Sequence, residues 1–169
     1  MARALAAGSL AVLASPALAL ELPDGTDPVF AEAFNACTAA IEGGGFLDEA
    51  MGWTSHDSGD PYALASDHWS HGFATKQLDG VGGLNLSAGV EQYPGYELGF
   101  CTVGIDAPER EIDAPALKNA GMSGTLQGDG GYWWGLWRDA DGKLFVRALY
   151  GDDPGTFRLS MTTFEETQP

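Results

Sequence analysis

GGLNLSAGVEQYPGYELGFCTVGI, Gly82 to Ile105, is where the apolar pattern of this chain changes from a helical to a strand period. Leu84, Leu86, Ala88 and Val90 alternate with polar or small residues, the pattern of a strand that buries one face. Pro94-Gly95 is turn chemistry, because proline presets the first central residue and glycine accepts a left-handed second one. The return run carries Leu98, Phe100, Cys101, Val103 and Ile105. A hairpin is predicted, with Cys101 in its second strand.

Upstream, DGTDPVFAEAFNACTAAIEGGG (Asp24 to Gly45) carries the other period. Phe30, Phe34, Cys37 and Ile41 recur at helical spacing, Thr26 or Asp27 can cap the first turn, and Pro28 suits it. Gly43 to Gly45 ends the run. Cys37 thus lies on the apolar face of a helix. Cys37 and Cys101 are the only two cysteines. With no C-x-x-C spacing to suggest redox chemistry, a structural disulfide is predicted, stapling the helix to the sheet.

Between helix and hairpin, FLDEAMGWT (Phe46 to Thr54) reads as a short helix leading into a buried Trp53, and TSHDSGDP as a loop. Ala65, Trp69 and Phe73 form a stripe consistent with a second helix. Beyond the hairpin, IDAPALKNAG (Ile112 to Gly121) reads as a two-turn helix with Asp113 as cap, Ile112 packed on Leu117 and Gly121 as its stop. Gly131 to Glu166 then reads as three strands, with Asp141-Gly142 and GDDPG as turns. The expected fold is α+β: an antiparallel sheet of about five strands with two or three helices packed on it and one disulfide.

The opening MARALAAGSLAVLASPALA has a basic Arg3, a short apolar run and a small-x-small ending at Ala17 to Ala19. It reads as a secretory signal peptide cleaved after Ala19, too short for a bilayer span of about 20 apolar residues. Residues 20–169 are then a single globular domain, and the expected address is periplasmic or secreted. That portion keeps seven basic residues against 24 acidic ones, a net charge of −17. Such a field disfavours nucleic acid, and no second apolar run suggests membrane insertion. A basic protein or an envelope component is the expected partner, although acidity also serves solubility alone.

Two constellations offer chemistry. All three histidines, His56, His68 and His71, fall close together near Asp67. On a helix, His68 and His71 would share a face with Asp67 one turn from His71, a candidate zinc or copper site. The plainer alternative is a set of polar positions around a buried Trp69, with no cofactor. The second is GYWWGLW (Gly131 to Trp137). On a strand, Tyr132, Trp134 and Leu136 face one way and Trp133 and Trp137 the other. Core packing is the expected role of Trp133 and Trp137; with open Gly135 between them, they are the candidate surface for stacking on a ring if exposed.

Catalytic patterns are scarce. GMSGT around Ser123 lacks the G-x-S-x-G elbow, and DADG (Asp139 to Gly142) and GDGG (Gly128 to Gly131) lack the acidic ligands of a calcium loop. No reaction centre is nominated. The expected function is a non-catalytic binding or accessory domain of the bacterial envelope, exported and disulfide-stabilised. The alternatives are a periplasmic metal-binding protein using the His/Asp cluster and a small cell-wall-directed hydrolase stacking sugar on Trp133 and Trp137.

Overall fold

The structure is a computed structural model describing residues 20–56, 68–129, 131–151 and 155–167. The leader assigned to residues 1–19 lies outside them, as does Asp67. Helix α1 spans Pro28–Glu42. The strands are β1 (Thr54–His56), β2 (His68–Leu78), β3 (Gly82–Tyr93), β4 (Tyr96–Asp106), β5 (Ser123–Asp129), β6 (Tyr132–Arg138), β7 (Leu144–Gly151) and β8 (Thr156–Glu166). All eight join one antiparallel sheet in the order β1-β2-β3-β4-β8-β7-β6-β5. Two four-stranded meanders therefore meet along β4 and β8, in the middle of the sheet.

This corrects the expectation of about five strands and two or three helices. The described residues hold eight strands and a single α-helix, with two one-turn 3₁₀ segments, Glu49–Met51 and Leu117–Ala120. Each misreading has a local cause. The stripe at 65, 69 and 73 has a spacing of four, which satisfies a strand's period of two as well as a helical one. Pairing of β2 with the full length of β3 settles the ambiguity in favour of strand. In Ile112 to Gly121, Pro115 disfavours a helical Ala114, so only Leu117–Ala120 coils and Asp113 caps nothing. Strand β5 was hidden by its glycines. A side chain at Gly124 would meet the Leu136 carbonyl and the Trp137 backbone, so close approach to β6 takes precedence over strand propensity.

The hairpin is as expected: β3 and β4 pair from Tyr93↔Tyr96 to Asn85↔Gly104. Leu84, Leu86 and Ala88 of β3, Cys101, Val103 and Ile105 of β4, and Phe157, Leu159 and Met161 of β8 all point to the same buried side. Helix α1 fills that side. It lies over β4, β3 and β8. Ala33, Ala36 and Ala40 let the helix approach closely, while Phe30 packs against Phe34 and edge-on against Phe157. Cys37 and Cys101 are bonded, with their Cα atoms 5.3 Å apart. Closing the 64-residue interval between them stabilises the fold by about 4 kcal/mol in the chain-entropy picture.

A second tie holds the start of α1. The Asp27 carboxylate caps the helix by accepting from the Val29 N–H at 2.8 Å. It also takes both Arg110 guanidinium nitrogens at 2.7 and 2.8 Å, and the Asp113 N–H at 3.1 Å. Burial raises the Asp27 pKa, but the Arg110 and backbone hydrogen bonds outweigh it and hold the group below the ordinary 3.8. A carboxyl depressed in the fold contributes stability that is complete above its unfolded pKa and lost as pH falls through the folded one. Asp27→Asn should therefore lower stability at pH 7 by about 1–3 kcal/mol, with the gap to the parent narrowing below about pH 4. Urea unfolding at pH 7 and pH 3 checks this; a gap of equal size at both values would refute it.

Candidate functional site

Alternation along each strand gives the sheet a second face, and among the described residues no helix covers it. Directly paired residues on that face form one row across all eight strands. It runs His56, Phe73, Ser87, Thr102, Ser160, Arg147, Leu136, Thr125. A neighbouring row carries Asn85, Gly104, Arg158, Leu149 and Trp134. The row is therefore hydroxylated in the middle, with Phe73 towards one end and Arg147 and Leu136 towards the other. Thr102 and Ser160 hydroxyls lie 3.2 Å apart across β4 and β8.

The face is not flat. An open depression of about 490 Å³ is lined by Tyr132, Trp134, Leu136, Arg147 and Leu149. Arg147 and Leu149 also line a smaller one of about 200 Å³ with Thr102, Arg158 and Ser160. Thr102 and Arg158 in turn reach a third, of about 240 Å³, at Phe73, Asn85 and Ser87. Together they make a shallow trough that crosses the strands. Its large end is apolar: Tyr132 is 47% exposed and Leu136 49%.

The two arginines at the centre differ. Gly104 leaves the space in which the Arg158 side chain lies across β4, since a Cβ there would fall 2.8 Å from the guanidinium carbon. Arg158 reaches Asp106 at 2.7 Å and is neutralised by it. Arg147 is exposed and has no ion-pair partner among the described residues. Its direct cross-strand neighbours are Leu136 and Ser160. It is a cation beside an apolar depression.

Trp133 and Trp137 are each 2% exposed and belong to the core, so neither is a stacking surface. The Trp133 indole N–H donates to the Ile112 carbonyl at 2.7 Å, tying the β4–β5 connection to the sheet. Gly135 does open a space, but the Trp137 ring fills it, its nearest carbon 2.0 Å from where a Cβ would stand. On the opposite side of the same strand Tyr132 is exposed and Trp134 half-buried. A hydrolase stacking sugar on the first pair has no such surface to use.

The histidine cluster is only partly described. His56 and His71 lie on the uncovered face of β1 and β2 and bond to hydroxyls, His56 to Thr75 at 2.9 Å and His71 to Ser87 at 2.7 Å. The His71 ring also packs on Phe73, with centroids 4.4 Å apart, and burial holds its pKa below the ordinary 6.5. The metal argument placed His68 and His71 on one helical face. The backbone there is strand β2, in which positions three apart do not share a side. Among the described residues no group of three or more His, Cys, Asp or Glu side chains could hold a metal ion. Asp67 and the His68 side chain lie outside that description. Asp139, in the DADG segment, accepts from the Lys143 and Leu144 N–H groups at 2.8 and 3.0 Å, as a turn residue does.

Comparison with protein-family models, curated proteins and solved structures finds no match for the chain. The uncovered face therefore stands on its own geometry. Because Arg147 makes no ion pair among the described residues, Arg147→Gln should change stability by less than about 0.5 kcal/mol. Trp137→Ala, which empties a core position, should cost about 3–5 kcal/mol. Denaturant melts of both variants test the assignment of the two faces, and a larger loss in the arginine variant would reverse it.

Proposed function

We propose that this chain is a binding domain of the bacterial envelope, exported and disulfide-stapled, which takes its ligand on the uncovered face of its sheet. The observation that carries the proposal is the juxtaposition of Tyr132, Trp134, Leu136 and Leu149 with Arg147, which makes no ion pair among the described residues, around one depression. Tryptophan, tyrosine and arginine are the residue types that dominate binding energy where molecules meet. A volume of about 490 Å³ lies in the range of small-molecule sites. The strands beneath are fixed by pairing on both sides, so these side chains are presented with little ordering to pay on binding.

The address rests on the formed Cys37–Cys101 bond, which an oxidising compartment maintains. No helix among the described residues is long and apolar enough to cross a membrane. Of the two expected partner classes, an envelope component suits the face better than a basic protein. Arg138 and Arg147 belong to that face and make no ion pair among the described residues, and they would repel a cationic surface.

The experiment is nitrogen-15 NMR of the protein titrated with a low-molecular-mass periplasmic extract. Shifts should cluster at Tyr132 to Leu136 and Arg147 to Leu149, including the Trp134 indole. No shifts, or shifts confined to the α1 side, would contradict the proposal.

A further inference from the structure

The ligand's charge can be inferred as well, on the premise that the uncovered face is the binding surface. We infer that this face takes a small, soluble, singly charged anion with a flat apolar body, its acid group on Arg147 and its body against Trp134 and Leu149. Three observations lead there.

The first is the isolation of a cation. Of the seven basic residues among those described, three pair with carboxylates, and of the four that do not (Lys118, Arg138, Lys143 and Arg147) it is Arg147 that lines the depression beside Tyr132 and Trp134. Lys76 pairs with Glu32, Arg110 with Asp27, and Arg158 with Asp106, at 2.8, 2.7 and 2.7 Å. Arg147 does not, among the described residues, although it stands one strand from Arg158 and its neighbourhood is packed with hydroxyl and apolar groups. A guanidinium offers two parallel N–H donors, the geometry of a carboxylate, sulfonate or phosphate.

The second is the shape of what surrounds it. Leu136 lies directly across from Arg147, and Trp134 directly across from Leu149, so an apolar strip runs immediately beside the charge. A ligand reaching both needs an acid group attached directly to a flat apolar frame. The depression is open, so only one side of that frame is covered.

The third is the charge of the rest of the molecule. A polyanion would be repelled by the net −16 along its whole length, whereas one charge within contact distance of Arg147 feels chiefly that arginine. At physiological salt the screening length is about 8 Å, shorter than the reach of a polymer and longer than one contact. The same repulsion between paired Arg147 groups disfavours a second copy of this chain laid face to face.

Two dyes with one skeleton test this. 8-Anilinonaphthalene-1-sulfonate carries a sulfonate; N-phenyl-1-naphthylamine is the same frame without it. The parent protein should bind the sulfonate roughly fivefold more tightly than the neutral dye, against the direction of its net charge. Arg147→Gln should erase that preference while leaving the neutral dye's affinity unchanged, Arg147→Lys should restore part of it, and Trp134→Ser should weaken both dyes. Raising salt to about 0.5 M should shrink the preference. Equal binding of the two dyes, still lost with Trp134→Ser, would overturn the anion inference and leave the binding face standing. Failure of both dyes to bind, or binding unaffected by Trp134→Ser, would overturn both.

Discussion

One helix can cover only one side of a sheet, and the Cys37–Cys101 bond decides which side and where. The bond joins the buried stripe of α1 to β4, next to the junction of the two meanders, so the helix sits over the middle of the sheet rather than at an edge. From there Phe30 and Phe34 reach the core shared by β3, β4 and β8. The Asp27–Arg110 pair then fixes the helix at its first turn from the connection that follows β4. With α1 committed to one side, no helix among the described residues covers the other side of the eight strands. Everything functional in the account follows from that asymmetry.

The distribution of positive charge follows it too. Lys76 and Arg110 serve the helix side: Lys76 bonds Glu32 and the Met51 carbonyl, and Glu32 also receives the Trp53 indole N–H. Arg138, Arg147 and Arg158 stand on the open side. A strongly acidic molecule thus keeps a local cationic strip where its exposed aromatics are, and that strip lies on strands rather than loops. Rigid presentation suits recognition, since little conformational freedom remains to be lost when a ligand is held.

The helix, the hairpin and their covalent link were legible because each rests on one unambiguous period and on a cysteine count of two. The rest of the sheet was not. A spacing of four residues in β2 serves two periods at once, and in β5 the glycines that admit the backbone of β6 also remove the strand signal. The aromatic run of β6 revealed its alternation correctly, Tyr132, Trp134 and Leu136 against Trp133 and Trp137, but not which set faces inward. That depends on where the helix lies, which no local pattern contains. Arg147 drew no notice in the sequence, because a lone arginine in an alternating strand is ordinary. It acquires meaning only beside Leu136 and Trp134, and opposite an acid-free Ser160.

The central claim, one side covered and the other bare, is tested most directly by hydroxyl-radical footprinting of the native, disulfide-bonded protein read by mass spectrometry. Tyr132 and Trp134 should oxidise readily while their strand neighbours Trp133 and Trp137 stay protected until the protein unfolds. Oxidation of Trp133 or Trp137 in the native state at the rate of Trp134 would contradict it.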